Sequence, residues 1–122
     1  KMDSVSPQVQ NQIAQFQQLQ QQLQAVLTQK LQMDAQVREM TCTVEELGKA
    51  PQDAVIYKSA GSLMIKADGK ESVLKDLEES KETLEIRLKG VERQEKALRE
   101  KYQAMQDQIN KAISTGLPLN NQ

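Results

Sequence analysis

From Gln8 to Leu47 the chain contains neither glycine nor proline, and through that stretch apolar residues recur at steps of three and four. The series is Val9, Gln12, Phe16, Leu19, Leu23, Val26, Lys30, Met33, Val37, Met40, Val44 and Leu47, and ten of these twelve are apolar. A mean period of 3.5 winds α-helices into a left-handed supercoil. Ser6 before Pro7 reads as an N-cap with proline at the first helical position, where its missing N–H costs nothing. Gly48 and Pro51 supply the stop, the glycine expected as a left-handed C-terminal cap. Forty residues at ~1.5 Å each would make a helix of about 60 Å.

A second such segment follows. Asp68-Gly69-Lys70-Glu71 reads as a capping box with Asp68 at the N-cap. The seam then runs Leu74, Leu77, Lys81, Leu84, Leu88, Val91, Glu95, Leu98, Tyr102, Met105, Ile109 and Ala112, again ten apolar of twelve. Glu71–Lys75, Glu85–Lys89, Glu92–Lys96 and Glu95–Arg99 are acid-before-base pairs four residues apart, each worth ~0.3 kcal/mol on an exposed face. Gly90 interrupts the segment at a cost of about 1 kcal/mol relative to alanine. Gly116 and Pro118 mark its end.

Between the helices the period changes. Val55-Ile56-Tyr57-Lys58 and Leu63-Met64-Ile65-Lys66 are short apolar runs separated by Ser59-Ala60-Gly61-Ser62, the pattern of a β-hairpin with a glycine turn. An isolated two-stranded hairpin is marginal in water. This one is apolar on both faces, and the chain has nothing left to cover it. Val55, Ile56, Tyr57, Leu63, Met64 and Ile65 are therefore expected to join subunits, with the sheet completed by oligomerisation. The expected fold is mostly α: a long antiparallel two-helix coiled-coil hairpin with one β-hairpin between the helices. It reads as one domain over 1–122, with the first helix at about 7–47, the hairpin at about 54–67 and the second helix at about 69–115. In that register Lys30 and Glu95, the oppositely charged interruptions of the two seams, fall within about one helical turn of each other and are expected to form a register-setting ion pair.

Composition narrows the function classes. Only Phe16, Tyr57 and Tyr102 are aromatic, too few for a compact globule of 122 residues, so the core is a line rather than a ball. A net charge of −1 gives no field to attract nucleic acid or an anionic membrane. There is no histidine, and Cys42 is the one cysteine, so neither an internal disulfide framework nor a zinc site is expected. No base stands near a candidate nucleophile, and no phosphate loop can be built from Gly61-Ser62 and Lys66, so neither catalysis nor a cofactor is expected. The methionines at 33, 40, 64 and 105 read as flexible filler. No apolar stretch follows Lys1-Met2-Asp3-Ser4 and no run of 18 apolar residues exists, so no signal peptide, no membrane span and a cytoplasmic location are expected.

Charge is distributed unevenly. Residues 4–29 carry no charged side chain and hold eleven glutamines, and residues 102–122 carry only Asp107 and Lys111, whereas 66–101 hold ten basic and ten acidic residues. An antiparallel hairpin brings the two uncharged stretches together at its free tip. Val5, Val9, Ile13, Phe16, Ile109, Ile113, Leu117 and Leu119 lie there, and an apolar patch with uncharged polar surroundings marks a binding surface for a partner without fixed shape.

The stretches Gln12-Ile13-Ala14-Gln15-Phe16-Gln17-Gln18-Leu19-Gln20-Gln21-Gln22, Asp53-Ala54-Val55-Ile56-Tyr57-Lys58-Ser59-Ala60-Gly61, Leu84-Glu85-Ile86-Arg87-Leu88 and Arg93-Gln94-Glu95 occur here in an order and spacing that resemble the prefoldin beta family of the archaeal type. The resemblance covers nearly the whole chain, and the hairpin is its discriminating part. It implies a hexamer of two alpha-type and four beta-type subunits, a body of joined hairpins and pendant coiled coils. Their tips would hold non-native polypeptides without ATP and pass them to a group II chaperonin. From the residues alone two alternatives stay open: a structural spacer or tether, and a filament-forming relative of prefoldin.

Overall fold

The computed structural model describes residues 6–115. Its elements follow in the order α1 (Pro7–Lys49), β1 (Tyr57–Ala60), β2 (Leu63–Lys66) and α2 (Lys70–Thr115). Two compact units are present: one combines the chain up to Lys30 with that from Val91 onward, and the other spans Leu31–Gly90. Val5, Leu117 and Leu119 lie outside the described residues, as do the stop signals Gly116 and Pro118.

Both helices turn the expected seam inward. Every one of the twenty-four seam positions is buried or half-buried. In the first unit Leu19 and Ala112 are each 4 % exposed, and Val9, Val26, Val91 and Ile109 are also buried. In the second, Met33 and Val73 are. No side chain among the described residues reaches full burial, which is what two helices touching along one stripe can achieve. Phe16 and Tyr102 stack within the first seam, ring centroids 4.7 Å apart at 30°, a spacing at which aromatic pairs attract beyond their area burial.

The start of α1 is as the sequence dictates: Ser6 Oγ accepts the Val9 N–H at 3.1 Å, and the Ser6 carbonyl accepts from the Gln10 N–H at 3.0 Å. The other ends differ. Gly48 does not adopt the left-handed cap; the positive φ angles belong to Gly61 and Gly69 among the described residues. Instead α1 runs on to Lys49, and Lys70 Nζ donates to the carbonyls of Gly48 at 3.0 Å and Ala50 at 2.8 Å. An ammonium group thus satisfies carbonyls that a glycine cap would otherwise have to close, and it sits at the negative end of the helix dipole. At the start of α2 the cap is Gly69, not Asp68: the Gly69 carbonyl accepts the Val73 N–H at 3.2 Å, and Glu71 takes a hydrogen bond from Gln52 Nε2 at 3.1 Å rather than folding back as a capping box. Of the four acid-before-base pairs expected along α2, only Glu95–Arg99 closes to ion-pair distance; the others stay solvated.

The hairpin begins two residues later than its apolar run. Tyr57 pairs with Lys66, Lys58 with Ile65, Ser59 with Met64 and Ala60 with Leu63. Ser59 and Ala60 are therefore strand, and the loop is Gly61-Ser62 alone. Gly61 has φ +62° and Ser62 does not share the left-handed region, the signature of a type II′ turn, which glycine favours at its first central position. The Ala67 N–H reaches the Ile56 carbonyl at 2.8 Å and extends the pairing by one step.

The double hydrogen bond from Lys70 generates a test. Lys70→Met should cost about 1 kcal/mol and speed amide exchange at Ala50 and Ala54 while leaving the amides around Leu19 unchanged. Equal exchange at Ala50 and Ala54 in the two proteins would show that the ammonium is a bystander.

Candidate functional site

Two surfaces stand out, one in each unit. In the second unit the hairpin is bare. All eight strand residues are exposed, although Tyr57, Leu63, Met64 and Ile65 are among them, and Val55 beside them is 62 % exposed. Cross-strand partners share a face, so Tyr57 and Met64 lie on one side of the ribbon, Leu63 and Ile65 on the other. Ile56 is half-buried and, with Tyr57, Cys42, Leu47, Val73 and Leu77, lines an open groove of about 780 Å³ beside the hairpin. Of the four methionines expected as filler, Met33, Met40 and Met105 lie in the seams, and Met64 projects from the strand.

In the first unit the charge-poor segments of α1 and α2 lie side by side. Of the tip residues read from the sequence, Val9 and Ile109 are buried in the seam, Ile13 and Phe16 are half-buried, and Ile113 is 65 % exposed. Periodicity places Ile13 and Ile113 off the seam but does not distinguish them; in the structure the first is half-buried and the second open. Gln12 sits in the seam with Oε1 buried and no hydrogen-bond partner. The glutamines at 8, 10, 15, 17, 18, 20, 21, 22, 24 and 29 are exposed, so α1 offers carboxamides rather than charges to its surroundings.

Charge begins with a cluster inside the first unit. Glu95 is buried, at 9 % exposure. Its two oxygens accept from Arg99 Nε at 2.7 Å and Lys30 Nζ at 3.0 Å. The expected Lys30–Glu95 pair is therefore present, with Arg99 as a third member that the i, i+4 spacing signalled. The hydrogen bond from Arg99, then that from Lys30, holds the Glu95 carboxyl below its ordinary value of 4.5, against the opposing effect of burial. Among the described residues no group of three or more His, Cys, Asp and Glu side chains is placed to hold a metal, Cys42 is exposed, and no helix is long and apolar enough to cross a membrane.

Two long helices joined through a two-stranded hairpin, with a seam along each and apolar surface left bare at the hairpin, define the class of coiled-coil subunits built around a β-hairpin. The family model described as prefoldin subunit matches residues 10–115. The chain is 46 % identical over 113 residues to the prefoldin subunit beta of Archaeoglobus fulgidus, covering 93 % of this chain and 97 % of that one. It is 48 % identical over 107 residues to that of Methanosarcina mazei, covering 88 % and 91 %. Among solved structures it is similar to the prefoldin beta subunit from Thermococcus strain KS-1, with a TM-score of 0.82 and 41 % identity over 88 % of this chain and 94 % of that one. The chain belongs to the prefoldin family, and within it to the beta subunits of the archaeal type.

The Glu95 cluster carries two predictions. Because the folded carboxyl titrates below its ordinary range, the cluster's stabilisation is complete above pH 4.5 and is lost as pH falls through the lower folded value, where the unfolded chain binds the proton first. The melting-temperature advantage of the wild type over Glu95→Gln should thus shrink below that pH, whereas a constant gap from neutrality into acid would assign the effect to packing. Charge reversal tests register. Lys30→Glu should lower the melting temperature, and adding Glu95→Lys should restore only part because the new ammonium faces Arg99. Adding Arg99→Glu as well should restore more; a triple variant no better than the single one would mean that another interaction sets the register.

Proposed function

We propose that this chain is one subunit of an ATP-independent holdase, which captures non-native polypeptides at the ends of its helices and delivers them to a group II chaperonin in the cytoplasm. The whole of 1–122 acts as a single prefoldin-like domain in this reading. The observation that carries it is membership of the prefoldin family joined to apolar surface that the chain leaves uncovered. The bare strands account for assembly: Val55, Ile56, Tyr57, Leu63, Met64 and Ile65 pack against hairpins of an alpha-type subunit and of other copies of this chain, two alpha to four beta. Polar edges of unpaired strands invite that pairing.

The charge-poor helix ends account for holding. Val5, Val9, Ile13, Phe16, Ile109, Ile113, Leu117 and Leu119 form the client surface, and the same ends meet the chaperonin. Each subunit's contact is small. Several such contacts on one client raise the overall affinity through effective concentration, without any new interaction. Release then needs only the loss of a few contacts at a time, so the mechanism calls for no nucleotide, metal, cofactor or catalytic group, nor for nucleic acid or membrane.

Truncation checks the reading. The assembled complex carrying chains that lack residues 1–13 and 114–122 should keep its mass, because the hairpins are intact, yet fail to suppress aggregation of a denatured unrelated protein. Suppression that survives the truncation would place clients elsewhere. An intact complex that never suppresses aggregation would favour a tether.

A further inference from the structure

The two edges of the first unit's helix pair differ in chemistry. In heptad terms Val9, Phe16, Leu23 and Lys30 of α1 occupy a, and Gln12, Leu19 and Val26 occupy d; on α2, Glu95, Tyr102 and Ile109 occupy a, and Leu98, Met105 and Ala112 occupy d. Positions e and g flank the seam, and in an antiparallel pair the two e columns share one edge and the two g columns the other. The g column of α1 is glutamine at 8, 15, 22 and 29, all exposed, and on α2 it holds Gln94, Lys101 and Gln108. Gln15, Gln22 and Lys101 indeed line one common groove. The e column is different: Ile13, Gln20 and Leu27 on α1, with Glu92, Arg99, Gln106 and Ile113 on α2, so that the ionic groups of this edge lie at the Leu27 end and the Ile13 and Ile113 end holds none. Ile13, Leu27 and Gln106 are half-buried and Ile113 is open to solvent, and Gln20 is drawn across by its hydrogen bond to the Tyr102 hydroxyl at 3.4 Å.

We propose that clients lie along the part of this e edge beyond Arg99, with Ile13 and Ile113 as its apolar groups, and that the segment recognised is an extended apolar stretch of non-native chain whose net charge is not read. The inference rests on the holdase reading above and says which side of the helices does the holding. The occupant follows from the charges present. Between Arg99 and Thr115 the only ionic side chains of α2 are Lys101 on the g edge and Glu100, Asp107 and Lys111 at outward positions, while α1 carries none from Ser6 to Gln29. Asp107 is engaged by Gln103 Nε2 at 3.0 Å. An edge with apolar groups and carboxamides but no ionic side chain beyond Arg99 complements an apolar segment and offers a charged one no counter-ion.

A photo-crosslinking residue placed singly at 20, 106 or 113 on the e edge, or at 15, 22 or 108 on the g edge, tests this in the assembled complex. The probe is one denatured protein in three surface-charge versions, strongly anionic, neutral and strongly cationic, with the same apolar segments. The e-edge positions should label all three versions to within about twofold, and the g-edge positions should label little. Ile113→Gln, at an exposed site where folding is not at stake, should weaken holding several-fold, and Ile13→Gln with Ile113→Gln about tenfold; helicity by circular dichroism checks that the double variant is folded. Gln15→Ala with Gln22→Ala should change nothing. Equal or greater labelling on the g edge, labelling of one charge version only, or no labelling at either edge by a complex that still suppresses aggregation overturns the e-edge site and leaves the holdase reading standing. A wild-type complex that suppresses no aggregation overturns the holdase reading itself.

Discussion

Everything in this chain depends on the contact of one helical stripe with another. Each helix presents apolar groups at a period of 3.5, and the stripes bury one narrow row of side chains. Leu19 and Ala112 come closest to full burial, and no side chain passes it among the described residues. A row this thin gives little apolar area per residue, so a buried charge has to be satisfied locally. Lys30 and Arg99 do this for Glu95 from two helices at once. Sliding one helix past the other by a turn would part Lys30 from Glu95, while Arg99, on the same helix as Glu95, would keep its contact. The cluster thus makes one register cheaper than its neighbours, a specificity that uniform leucine seams lack.

The same economy explains the bare hairpin. Two helices of this kind have no side chains to spare for covering a sheet, and a ribbon of two four-residue strands cannot cover itself. Tyr57 and Met64 on one face and Leu63 and Ile65 on the other would be a solubility liability in a lone molecule. Their exposure on both faces makes sense for a component of a larger sheet. Lys58 Nζ lies 3.4 Å from Asp76 Oδ2, an exposed contact between the ribbon and α2.

What the sequence made legible follows from which forces are local. The seams were readable to the residue, because a stripe of period 3.5 is set by composition along one helix and every seam position is covered. The hairpin was readable in kind but not in extent: Ser59 and Ala60 look like turn residues, and cross-strand pairing carries them into β1. Helix ends were read least well. Gly48 and Asp68 are each the usual cap for their place, but Lys70 reaches from the start of α2 to the last carbonyls of α1, a long-range contact invisible to local pattern. The e edge was half visible: Ile13 and Ile113 could be seen to leave the seam, but that Ile13 is half-buried and Ile113 open could not be read from spacing.

Glutamine at g has a physical reason of its own. Coiled coils usually place Glu and Lys beside the seam, where they fix partner and orientation. Doing so here would surround the apolar edge with fixed charge. The nearest exposed ion on that flank of α2, Lys101, lies twelve residues before Ile113, about 18 Å along the helix, more than twice the Debye length of about 8 Å at physiological ionic strength. Its field is therefore spent before it reaches the open isoleucine, and the nearer ions, Asp107 and Lys111, are of opposite sign and stand at outward positions of the helix. Carboxamides keep the helix hydrated at no such cost. In the holdase reading proposed above, an unfolded chain arriving at Ile113 would meet apolar contact and hydrogen-bonding groups of both senses.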